Sequence, residues 1–115
     1  MLINIETLLG KIKPTFTKLS AAQGLSECAE KRGILIDLRE PQESADAPVK
    51  DAINIPRGIL EMSMLKRFPD PELPIYLHCA SGVRAVLSAE QLTRIGYKNI
   101  TVLACNVTEL RELSN

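Results

Sequence analysis

The sequence predicts an α/β domain: a parallel sheet with helices packed on both faces. Three observations carry this. The runs at 34–38, 75–77 and 100–103 are short and almost wholly apolar, so as strands they are too apolar to face water on one side. Between them lie stretches whose apolar residues recur at helical spacing, so strand and helix alternate along the chain. At 115 residues the chain has the length of one domain with a substantial core.

The elements follow in order. Asn4 can cap a short helix in which Leu2, Ile5, Leu8, Leu9 and Ile12 recur at helical spacing; Gly10 and Pro14 end it. Its apolar stripe is expected to pack on its own domain. Thr15-Phe16-Thr17 reads as an edge strand. Ser20 and Gln23 form a capping box opening a helix to about Lys31, with Leu25, Cys28 and Ala29 inward and Gly33 as its stop. Residues 34–38 form a buried strand that carries one acid, Asp37, near its C-terminal end, and Arg39-Glu40-Pro41 follow at once. Open α/β sheets place their sites at that end of their strands; a loop ion pair with a helix cap at Glu40-Pro41 is the competing account.

Residues 52–55 read as a third strand, closed by Pro56. Leu60, Met64 and Phe68, with Leu65, give the next helix face, and Met62 and Met64 are read as gap-filling core residues. The prolines at 69, 71 and 74 break that helix and lead into Ile75-Tyr76-Leu77, the central strand. Val83, Val86, Leu87, Leu92 and Ile95 mark the helix after it, with Gly96 as its C-cap. Residues 100–103 are the last strand, and Asn106 with Glu109 can cap a short final helix.

Composition excludes several functions. Lysine plus arginine and aspartate plus glutamate both number 14, which gives no electrostatic argument for nucleic acid or for an anionic membrane. Two Tyr, two Phe and no Trp make base-stacking platforms unexpected. No run approaches transmembrane length, and Met1-Leu2-Ile3-Asn4-Ile5-Glu6 lacks the basic start of a signal peptide. Three cysteines with no Cys-x-x-Cys pair point to free thiols in a reducing cytoplasm, with no metal site and no cofactor.

The chemistry is concentrated in His78-Cys79-Ala80-Ser81-Gly82-Val83-Arg84. Cys79 stands where a strand ends and a helix begins, and Gly82 can take backbone angles closed to other residues. A tight turn entering a helix points backbone N–H groups inward as a nest, and the helix N-terminus adds partial positive charge. Arg84 adds a full charge and a planar fork of donors. An anion on Cys79 is therefore expected to be stabilised and its thiol pKa lowered. The same cradle suits a thiolate, a persulfide or a bound oxyanion. The plainer reading is a buried structural cysteine on a core strand.

Three stretches together resemble the single-domain rhodaneses, a group of sulfurtransferases: Ile34-Leu35-Ile36-Asp37-Leu38-Arg39-Glu40-Pro41, then Asp51-Ala52-Ile53-Asn54-Ile55-Pro56, then the Cys79 loop. Their order and spacing match over roughly residues 15 to 113. The resemblance implies a rhodanese-like, five-stranded parallel sheet flanked by helices, with residues 15–115 as the domain and 1–14 as a helical extension. It implies Cys79 as a nucleophile that takes a sulfane sulfur from a small anionic donor such as thiosulfate, holds it as a persulfide, and passes it to cyanide, a thiol or a protein thiol. The backbone N–H groups from Ala80, Ser81, Gly82 and Val83 to Arg84 would stabilise the persulfide. Arg84 would orient the loop and meet the anionic donor, and Asp37 and Arg39 would brace the loop or line its rim. The chain departs from the family pattern at Val49-Lys50-Asp51-Ala52, where a histidine and a glycine are usual, at Ala85, where a hydroxyl residue is usual, and at Cys105-Asn106, where glycines are usual.

Two other readings compete. Related phosphatases and arsenate reductases place five residues between cysteine and arginine; four stand here, a ring sized for sulfur and too narrow for a tetrahedral oxyanion. A non-catalytic or weakly catalytic sulfur-binding module would retain the loop and tolerate the departures. Cys105, after the last strand, is expected on the same end of the sheet as Cys79. It is read either as packing in place of a glycine or as a second thiol able to attack or bridge Cys79.

Overall fold

A computed structural model describes residues 1–114. The strands are β1 (Thr17–Leu19), β2 (Ile34–Asp37), β3 (Ile53–Asn54), β4 (Ile75–His78) and β5 (Ile100–Leu103); the helices are α1 (Ile5–Gly10), α2 (Ala21–Glu30), α3 (Pro41–Asp46), α4 (Leu60–Arg67), α5 (Val83–Arg94) and α6 (Val107–Ser114). The sheet runs β1-β5-β4-β2-β3, and every pair is parallel. Parallel strands must be covered on both faces, and here they are. Side chains alternate along β4, so Ile75 and Leu77 join one core with Leu60, Met64, Ala85 and Leu92 of α4 and α5. Tyr76, between them, joins the opposite core with Ala21 of α2, Leu103 of β5 and Leu110 of α6.

Several expectations change. The edge strand lies at 17–19, two residues later than expected, where it pairs with residues 101–103. The apolar stripe of the N-terminal segment packs down only in part: Leu9 and Ile12 are half-buried and α1 touches α5, while Leu2 before the helix is 97% exposed and Ile5 and Leu8 stay exposed. On α2 the buried residues are Ala21 and Gly24, while Leu25 and Cys28 are half-buried and Ala29 is exposed. Leu103 explains this, since a Cβ on Gly24 would lie 1.9 Å from its Cδ2. Met62 is 70% exposed, and only Leu60 and Met64 of α4 reach the core. On α5 small residues (Ala85, Ser88, Ala89) with Leu92 form the buried face, which lets the helix lie close to the sheet; Ile95 stays exposed.

The stop of α2 is also reassigned. The left-handed residue is Arg32, at φ 53°, and its N–H donates to the Ala29 carbonyl while that of Gly33 donates to Cys28. That is a Schellman closure with arginine in the usual glycine place. Gly33 is needed for space instead, because a Cβ there would lie 2.6 Å from Tyr76 Cε1 and 2.7 Å from the Pro74 carbonyl oxygen.

Candidate active site

Cys79 follows β4 directly and is 2% exposed. Gly82, at φ 100°, caps α5 from the left-handed region, so glycine is required there by backbone conformation; a Cβ would meet nothing within 4 Å. This turn brings the Gly82 N–H to 3.0 Å from Cys79 Sγ, to which it donates. The loop is tied from the other side by Val107 N–H, which donates to the Ala80 carbonyl at 3.2 Å. The first turn of α5 adds N–H groups that have no partner within the helix.

Arg84 does not present a free fork. Its Nη1 and Nη2 donate to the two carboxylate oxygens of Glu43 at 2.7 and 3.1 Å. Glu43 also accepts the Glu40 N–H at 2.9 Å, so the residue that closes the first turn of α3 anchors the loop arginine. The hydrogen bonds from Arg84 and then from Glu40 pull the Glu43 carboxyl down from 4.5 to about 2. Sequence reasoning missed Glu43. Its position three residues after Glu40 and behind Pro41 was the available signal for a capped helix start.

Asp37 and Arg39 do not line the rim: they are 1% and 2% exposed and pair with each other. Arg39 Nε and Nη2 donate to the two Asp37 oxygens at 2.9 and 2.8 Å, and the Arg39 N–H adds a third bond at 3.0 Å. Burial alone would raise the Asp37 pKa, but these bonds, with the charges of His78 and Arg39, hold it below its ordinary value. Arg39 also donates to the Glu43 carbonyl at 3.3 Å and the Ala47 carbonyl at 2.8 Å. The buried pair therefore fixes α3, and α3 presents Glu43 to Arg84. Asn54 Nδ2, also missed, ties β3 to the same turn through the carbonyls of Asp37 and Arg39 at 3.0 and 2.9 Å.

His78 lies behind the loop, 1% exposed, with no hydrogen-bond partner for either ring nitrogen among the described residues and Nε2 4.0 Å from Asp37 Oδ1. Burial dominates and takes its pKa from 6.5 down to about 4, against the pull of Asp37 and with the push of Arg39. The ring is thus uncharged at neutral pH.

The environments of Cys28 and Cys105 favour the protonated thiol. Burial raises the Cys28 pKa, and burial followed by the charges of Glu109 and Cys79 raises Cys105 to about 11. Cys105 is half-buried against the α2/α6 core while Cys79 belongs to the α4/α5 core, so the two side chains pack in different clusters although the Cys79 charge reaches Cys105. This favours the packing account of Cys105 over a direct bridge.

An α/β domain with a cysteine loop at the C-terminal edge of its central strand defines the class. Residues 19–112 match the family model of the rhodanese-like domain, and the chain belongs to that family. It is 32% identical over 84 residues to a putative mitochondrial thiosulfate sulfurtransferase of Schizosaccharomyces pombe, a match that takes in 62% of this chain and 58% of that protein's length. Among solved structures it is similar to the polysulfide-sulfur transferase homodimer of Wolinella succinogenes, at 26% identity and a TM-score of 0.76, over 94% of this chain and 82% of that one. A protein of unknown function from Rhodopseudomonas palustris, described as a possible tyrosine phosphatase, shares the fold at a TM-score of 0.80 and 20% identity, over 98% of this chain and 92% of that one. No helix among the described residues is long and apolar enough to cross a membrane.

Proposed function

We propose that this protein is a thiosulfate sulfurtransferase-like enzyme working through a persulfide on Cys79. The observation that carries this reading is the Gly82 N–H donated to Cys79 Sγ at 3.0 Å, in a turn of four residues between cysteine and arginine. In the first half-reaction the Cys79 thiolate attacks the outer sulfur of thiosulfate. The S–S bond of the donor breaks, sulfite leaves with the electron pair, and Cys79 carries the sulfur as a persulfide. In the second, an acceptor thiolate or cyanide attacks that outer sulfur, and Cys79 leaves as the thiolate.

The backbone N–H groups of Ala80 to Val83 hold the anionic sulfur, Arg84 sets the loop through Glu43, and Asp37 with Arg39 are positioning residues. Residues 15–115 are the working domain and 1–14 its extension. The free cysteines suit a reducing cytoplasm; the mitochondrial relative makes a mitochondrial setting the alternative.

The test is intact mass after incubation with thiosulfate. A gain of one sulfur atom that disappears in Cys79→Ser is expected. No gain, or a gain that survives the substitution, overturns the reading. Occupation of the Arg84 fork by Glu43 favours a second reading, a carrier module that loads once and turns over slowly. Loading without repeated turnover to any thiol would select it.

A further inference from the structure

Beside the loop lies a cleft of about 380 Å³, within the size range of small-molecule sites. Gly82, whose N–H touches Cys79 Sγ, is one of its walls, and Cys105 is another. Val83 and Val86 of α5 give it an apolar side. Leu9 of α1 and Lys18 of β1 line it as well. Both precede residue 19, where the match to the family model begins, so this wall is supplied from outside the matched segment.

Lys18 is exposed and takes part in no ion pair or side-chain hydrogen bond among the described residues. Its charge lies beside the N-terminal, electropositive end of α5. One carboxylate, Glu109, acts on the Cys105 side of the cleft. A cleft lined by the reactive loop, by apolar side chains and by an unpaired cation is complementary to a small molecule that carries a reactive group, an apolar body and an anion.

We infer that this cleft is the acceptor subsite, and that it selects a small thiol with an apolar body and an anionic tail. The inference rests on the sulfurtransferase reading above. The thiolate of such an acceptor attacks the outer sulfur of the Cys79 persulfide, the S–S bond to Cys79 breaks, and the product leaves as the acceptor persulfide with Cys79 restored as thiolate. The apolar body lies along Leu9, Val83 and Val86, and the tail meets Lys18.

The test uses the full chain, loaded with thiosulfate and then freed of donor, so that only discharge is measured. Three acceptors are compared: mercaptohexanoate, mercaptohexanol and mercaptoethanol. Mercaptohexanol is expected to show a KM about tenfold or more below mercaptoethanol, from burial of its extra methylenes. Mercaptohexanoate should fall a further factor of about two to five, the size of one partly exposed ion pair. Lys18→Gln should bring the acid and the alcohol to the same KM while keeping the preference over mercaptoethanol. Leu9→Ser should weaken that preference while keeping the acid ahead of the alcohol. Equal KM values for the three thiols in the unaltered protein, or an acid-to-alcohol ratio untouched by Lys18→Gln, overturn the acceptor subsite alone. A protein that never loads sulfur overturns the sulfurtransferase reading itself, and the subsite with it.

Discussion

Glu43 receives both arms of Arg84, at 2.7 and 3.1 Å, so the arginine of the cysteine loop is anchored to a helix that begins 43 residues before it. On the reading proposed above, Arg84 serves first to hold the loop. Glu43→Ala and Arg84→Ala are each expected to slow persulfide loading by about ten- to a hundredfold, through loss of loop position. The double variant should be no slower than the worse single one, because both remove the same contact. Single-turnover loading rates for the three variants check this; additive losses would mean that Arg84 acts on the donor independently of Glu43.

Acid should destabilise the protein through His78. Its pKa is about 4 when folded against 6.5 ordinarily, so the unfolded chain binds the proton first as pH falls. Stability from this group is fully present above pH 6.5 and is lost as pH falls towards 4. The shift corresponds to about 3 kcal/mol across that window. The lowered Asp37 pKa acts in the same direction at more acid pH. Urea unfolding of the wild type and His78→Leu at pH 7 and 4.5 checks this. The variant should lose less stability than the wild type between the two pH values.

The end of α2 gives opposite expectations for adjacent residues. Gly33→Ala drives a methyl to 2.6 Å from the Tyr76 ring and should cost about 1–3 kcal/mol, as overpacked sites do. Arg32→Gly relieves a left-handed residue at φ 53° and should leave stability unchanged or raise it by up to about 1 kcal/mol. Thermal melts of the two variants should fall on opposite sides of, or at and below, the wild type. A stabilising Gly33→Ala would remove the close-approach argument.

The three thiols should separate by reactivity. The raised pKa values of Cys28 and of Cys105, the latter about 11, leave both mostly protonated at pH 8. Peptide mapping after brief alkylation at that pH should find Cys79 modified first. Mild oxidation should yield no Cys79–Cys105 link, because the two side chains are held in different core clusters. A link formed in good yield would mean that the loop opens far enough to reverse this placement.

Much of this was legible in the sequence, because it depends on local rules. Apolar strand runs at 34–38, 75–77 and 100–103, the Ser20–Gln23 box and the Gly96 stop each depend on neighbours within a few residues. So does the turn at Cys79: the end of a strand, a left-handed Gly82 and a helix start bring the thiol against a backbone N–H, and Val107 and Glu43 then tie the loop from farther along the chain. What the tertiary structure alone decided is which charges meet. Asp37, Arg39 and Arg84 all stood out as charged candidates near the site. Burial turned the first two towards each other, and a carboxylate 41 residues from Arg84 claimed its fork. Likewise, periodicity placed apolar stripes on α1 and α5, but only packing could tell that α5 buries its alanines and serine, and that α1 leaves Leu8 exposed and Leu9 half-buried beside the cysteine loop. A charge or a stripe is a property of sequence; its partner depends on the path of the whole chain.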